Sequence, residues 1–140
     1  MKVQFFFIDK ISSLKERTAL KAFIQTIFSR EKKKLAHLSY IFCSDEYLLE
    51  INKSYLNHDF YTDIITFCLS EPSSPITGDI YISIDRVKEN ATTHNTSFKE
   101  ELHRVIFHGA LHLCGYKDKS ITDEKLMRSM ENKYLQLYFK

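Results

Sequence analysis

Ser97-Phe98-Lys99-Glu100-Glu101-Leu102-His103-Arg104-Val105-Ile106-Phe107-His108-Gly109-Ala110-Leu111-His112-Leu113-Cys114-Gly115-Tyr116-Lys117-Asp118 is the stretch around which the chain organises itself. Its first four residues have the form of a capping box, a hydroxyl followed three positions later by a carboxylate, and predict a helix running to about Cys114. Gly115 stands where that helix must stop, because glycine readily takes the left-handed turn that reverses the chain. Phe98, Leu102, Val105, Ile106 and Leu113 make an apolar stripe at helical spacing. Phe107 and Leu111 are apolar on other faces, so the helix is expected to be central and largely covered.

Working outward, Val3–Ile8 reads as a strand, and Ser12 or Ser13 is expected to cap a helix through about Phe28. Leu38–Cys43 reads as a second strand, followed by a short helix capped by Ser44 or Asp45 and carrying Tyr47, Leu48, Ile51 and Tyr55. Asp63–Leu69 is expected as a third strand, and Pro72 and Pro75 mark a loop because neither can join a ladder. Asp79–Ile84 alternates in the manner of an edge or half-buried strand, able to pair antiparallel with its predecessor. Asp85 is expected to cap a helix to about Thr93, and Thr122 a last helix over residues 121–138. The order β-α-β-α-β-β-α-α-α indicates an α+β fold, a small mixed sheet of about four strands with covering helices. No repeat or long linker interrupts it, so residues 1–140 are read as a single domain.

Composition narrows the function. At 44% hydrophobic and 27% charged the chain is ordinary for a folded protein. Neither a bilayer-spanning run nor a signal-peptide pattern is present, and a cytoplasmic location is expected. Cys43, Cys68 and Cys114 form no Cys-x-x-Cys pair, which argues against a disulfide framework or a thiolate zinc site; all three are read as core residues. Residues 1–37 carry nine Lys and Arg against three acids, leaving the remainder negative. That asymmetry suits a polyanion-facing surface or simply a solvated helix face.

His108 and His112, at i and i+4, leave one face of the helix a turn apart and can chelate one zinc ion. Asp118, three residues beyond Gly115, can reach round as the third ligand. Three protein ligands leave a fourth position open, the arrangement of a catalytic zinc. A His-x3-His pair alone arises by chance in roughly one such sequence in four, but with the glycine and third donor in place the figure drops to about one in a thousand. The competing reading is a pair of hydrogen-bonded histidines flanking the apolar stripe. The pattern is similar to the metzincin peptidase signature, except that the general-base Glu is replaced by Gly109, which cannot take a proton from water.

The segment His108-Gly109-Ala110-Leu111-His112-Leu113-Cys114-Gly115-Tyr116-Lys117-Asp118 resembles the hallmark of the YbeY family of rRNA maturation factors and endoribonucleases, His-Gly-x-Leu-His-Leu-x-Gly-Tyr-Asp-His. Thr62-Asp63-Ile64-Ile65-Thr66-Phe67, Gly78-Asp79-Ile80 and Asn52-x-x-Tyr55 resemble further family motifs. Asp118 stands where the family carries a third histidine, and Leu56 where it carries an arginine.

The resemblance implies a metzincin-like fold and a zinc-dependent, single-strand-specific endoribonuclease. Its expected work is late 16S rRNA 3′-end maturation and ribosome quality control, with rRNA and ribosomal particles as partners. Hydrolysis of an RNA phosphodiester by metal-activated water is the expected reaction, with the 2′-hydroxyl as the alternative nucleophile. No base is identifiable: His58, Asp59 and Asp63 are candidates, each with an ordinary loop or strand-entry role as the alternative. His37, His94 and His103 are read as surface or boundary residues, Tyr116 as a residue that orders the loop before Asp118, and Lys117 and Lys119 as loop lysines able to attract phosphate. The alternative function is a non-catalytic ribosome-assembly factor whose metal only stabilises the fold.

Overall fold

A computed structural model describes residues 2–8 and 14–140. Strands β1 (Val3–Phe7), β2 (Leu35–Cys43), β3 (Ile64–Cys68) and β4 (Ile76–Ser83) alternate with helices α1 (Arg17–Arg30), α2 (Asp45–Leu56), α3 (Ile84–Thr93), α4 (Phe98–Leu113) and α5 (Ile121–Tyr138). They form one four-stranded sheet in the order β1-β2-β4-β3. β1, β2 and β4 are parallel, while β3 pairs antiparallel with β4, giving the α+β mixed sheet expected.

Strand periodicity divides the core between the two faces. Leu38, Tyr40 and Phe42 of β2 and Ile80 and Ile82 of β4 are fully buried in the main core with residues of α1, α4 and α5. The Tyr40 hydroxyl donates to the Ile106 carbonyl of α4 at 2.8 Å, tying sheet to helix. Cys43 and Ile65 belong to a smaller cluster with Leu48 of α2, against which Tyr81 packs.

Two features fix α4. Ser97 accepts the Glu100 amide at 3.0 Å, as its capping-box form requires. At the other end Gly115 has φ +110°, and the Tyr116 amide closes back on the Leu111 carbonyl at 3.1 Å.

Several expectations need correction. β4 lies inside the sheet and β3 takes the edge, because β4 is hydrogen-bonded to β2 as well as β3. Its alternation records two unlike covered sides instead of one covered and one wet. Helix α1 starts at Arg17, with Leu14 buried ahead of it and Glu16 in the left-handed region as its unbonded cap position. The proposed caps Ser12 and Ser13 lie outside the described residues. Ser83, not Asp85, caps α3, and Asp85 instead accepts the Asp45 amide at the start of α2. Ser120, not Thr122, caps α5. Cys43 and Cys114 are buried, whereas Cys68, on the edge strand, is exposed. His103 is buried, its ring stacked on Tyr138 and its Nδ1 2.7 Å from the Lys99 carbonyl.

Candidate metal centre

α4 passes so close to the sheet that a Cβ on Gly109 would stand 2.8 Å from Ile80 Cδ1 and 3.0 Å from Ile64 Cδ1. A side chain at the position after His108 would have to push those isoleucine side chains aside. On the flank of α4 adjoining that contact, His108 and His112 open into a cleft of about 990 Å³. The two rings are 5.9 Å apart, centroid to centroid. His108 Nε2 lies 3.3 Å from Asp118 Oδ2, brought round by the Gly115 turn. The three residues singled out from the sequence therefore share one cleft. Among the described residues no group of three or more His, Cys, Asp or Glu is drawn together as a finished metal cluster; the closed contact is the His108–Asp118 pair.

The donor chemistry fits a divalent cation. His108 Nδ1 is 2.7 Å from Glu131 Oε2 of α5. Burial pushes the Glu131 carboxyl up, but the bond and charge of His108, reinforced by Arg104, outweigh it and hold the group below the ordinary range. Glu131 is thus an anion and only accepts, so Nδ1 carries a proton; Nε2 donates to Asp118 when the ring is charged and is the nitrogen left with a lone pair for a cation when the ring is neutral. Two tetrahedral zinc ligands with bonds near 2.1 Å stand roughly 3.4 Å apart, close to the separation observed. Burial lowers the His108 pKa, and the bond and charge of Glu131, with Asp118 and Asp63, more than restore it. The carboxylates that favour a positive imidazole are the ones that would balance a bound cation.

Asp63 also borders the cleft, and burial raises its carboxyl against the lowering influence of His108. Asn90 Nδ2 donates to it at 3.2 Å. His58 faces the cleft from the loop after α2. Asp59 is not among the lining residues; it is exposed and pairs loosely with Lys53 at 3.6 Å. Leu56 lines the cleft where the motif resemblance expects a guanidinium. The basic N-terminal quarter does not converge here: Arg17 and Lys21 lie over the Phe7 and Phe5 rings, and Lys32–Lys34 line a separate cavity of about 490 Å³. Tyr116 orders the ligand loop, donating to Glu31 at 2.7 Å.

Glu131 and Arg104, joined at 3.0 Å, were not singled out from the sequence. A signal existed. Glu131 sits between Met127 and Tyr134 on the buried face of α5, a charged residue at a core position, which calls for a buried partner.

The sequence profile described as Endoribonuclease YbeY matches residues 7–138. The Endoribonuclease YbeY of Cytophaga hutchinsonii is 50% identical over 133 residues, covering 95% of this chain and 93% of that protein. That of Flavobacterium psychrophilum is 51% identical over 125 residues, 89% of each. The solution structure of a Thermotoga maritima protein superimposes with a TM-score of 0.68 at 29% identity, covering 96% of this chain and 89% of that one. With a cleft built around the His108–Asp118 pair and relatives matched over nearly their whole length, the chain belongs to the YbeY endoribonuclease family.

Proposed function

We propose that this chain is a metal-dependent endoribonuclease that cuts single-stranded RNA, with zinc held by His108, His112 and Asp118. The observation that carries the reading is the linked arrangement of Glu131, His108 and Asp118, in which one carboxylate fixes the imidazole and the other meets its free nitrogen at ligand-to-ligand distance. Zinc at that point would supply a Lewis acid to a phosphoryl oxygen and lower the pKa of a water towards 7.

The protein's own groups do the rest. Lys119, Lys125 and Arg128 border the same cleft and draw the phosphate backbone in. Asp63, its carboxyl raised by burial, is suited to hold a proton beside His108 and to exchange it with the reacting oxygen. Gly109 leaves no acid beside the first ligand, which turns the site away from peptide hydrolysis. The names of the relatives support RNA as substrate. rRNA 3′-end maturation on ribosomal particles, in the cytoplasm, is the setting the family suggests. Among the described residues no helix is long and apolar enough to cross a membrane.

Elemental analysis of protein purified without chelator tests the site, comparing wild type with His112→Ala and Asp118→Ala. One equivalent of zinc, lost in both folded variants together with cleavage of single-stranded rRNA, is expected. Metal retained by both variants would sink the three-ligand site. Variants that merely unfold would favour the non-catalytic assembly factor.

A further inference from the structure

The loop after α2 displays a pair of rings that the core does not use. His58 and Phe60 are stacked, centroids 5.0 Å apart and planes 22° apart, and both line the cleft. Phe60 remains 56% exposed and His58 is exposed as well. Fully solvated rings on a mobile loop would carry little meaning, but this loop is fastened. Asn52, 1% exposed at the base of α2, accepts the His58 amide on its carbonyl at 3.1 Å and donates from its side chain to the Phe60 carbonyl at 2.8 Å. Asn57 takes the left-handed conformation, φ 55°, that turns the chain between them. The buried Asn52 side chain thus holds the backbone at Phe60, and the helix-ending backbone bond holds it at His58, so both exposed rings stand on an anchored loop that lines the cleft.

We propose that His58 and Phe60 form a stacking shelf for an unpaired nucleobase, while Lys119, Lys125 and Arg128, which line the same cleft, hold the adjoining phosphates. The inference rests on the RNA reading above and adds to it which residues recognise an unpaired base. Every base has a π face, so a shelf of this kind selects for single strands without selecting sequence. A base in a duplex has both faces covered and cannot use it. Asp63, Glu101, Asp118, Glu124 and Glu131 line the cleft as well, and Arg104 is taken up by Glu131, so Lys119, Lys125 and Arg128 are the cations left to meet phosphate. They meet the backbone without reading bases.

The test is fluorescence anisotropy of the full-length, metal-loaded protein with a short labelled single-stranded RNA, read before cleavage develops. The probes are that RNA, the same strand with abasic sites, and its duplex. Phe60→Ala is expected to weaken binding of the base-bearing strand about tenfold, to leave the abasic strand nearly unchanged, and to narrow the preference over duplex. Phe60→Trp restores binding. Lys125→Ala with Arg128→Ala weakens both single strands alike and reduces the dependence on salt. Phe60 is more than half exposed, so these variants are expected to melt with the wild type. Wild-type protein that binds and cuts the RNA while Phe60→Ala is indifferent, or weakens base-bearing and abasic strands equally, overturns the shelf alone. Wild type that binds no RNA overturns the shelf and the RNA reading together.

Discussion

The Tyr116 hydroxyl, in the loop that delivers Asp118, donates to the carboxylate of Glu31 at the end of α1 at 2.7 Å, across 85 positions of sequence. Tyr134 of α5 donates to the other oxygen of the same carboxylate. One acid thus ties the ligand loop, the first helix and the last. Burial and then the Glu31 bond and charge push the Tyr116 hydroxyl up to about 12, so both phenols remain donors at any working pH.

Glu31→Gln and Tyr116→Phe are therefore expected to loosen Asp118 without unfolding the chain. Each should cost about 1 kcal/mol in denaturant titration. Zinc affinity, read by competition with a chromogenic chelator, should fall by roughly tenfold as in other disturbed ligand supports. Unchanged affinity in both would show that the loop holds its position unaided.

Glu131→Gln removes the anion that sets the His108 tautomer. Metal affinity should drop by about 10- to 100-fold, with the same residue still filling the space. Because Arg104 loses its ionic partner in the same step, keeping only the Asn132 side-chain oxygen at 2.8 Å, Arg104→Met beside Glu131→Gln separates the two effects. The double variant should regain stability, measured by thermal melting, without regaining metal.

Gly109→Ala forces a methyl against Ile80 and Ile64. Overpacking of this kind costs roughly 1–3 kcal/mol, and a fall in melting temperature checks it. Gly109→Glu, which would complete a peptidase-like signature, should fail to fold well and should gain no activity on casein.

His103 gives the acid limb of stability. Burial lowers its pKa from the ordinary 6.5, the Lys99 carbonyl bond opposing this and the Lys99 charge adding to it. The unfolded chain therefore binds a proton on this residue before the folded one does, and stability falls as the pH drops below about 6.5. Stability owed to the neutral ring is full above that value. Urea titrations between pH 7.5 and 5 should show a smaller decline for His103→Phe than for wild type; equal slopes would place the loss elsewhere.

How much of this was legible beforehand depended on the range of the interaction. The α4 capping box, the Gly115 turn and the His108, His112 and Asp118 spacing are local, and the helix starts, stops and opens into the cleft where they say. Choices among neighbouring hydroxyls and acids went wrong at α3 and α5, where Ser83 and Ser120 each lie two residues before the expected cap. Asp85 was misread because its partner, the Asp45 amide, is 40 positions away. The interior place of β4 could not be read from alternation, since period two says that two faces differ and not that one of them is wet. Cys68 followed from that error: once β3 is the edge, an apolar stretch no longer implies burial. Glu31 and Glu131 were missed for the same reason as Asp85, each finding its partners on a helix remote in sequence.

The narrow seat of Gly109 on the sheet gives the cleft a mechanical asymmetry. His108 stands beside a close helix-to-sheet contact, so its backbone is held by the core, and its amide should exchange more slowly than those of the loop carrying Asp118. Asp118 hangs from a turn secured by a phenol bridge and can give by small amounts. The cleft has one held jaw and one that adjusts, so at the proposed metal site Asp118 would be the donor that moves to meet the ion.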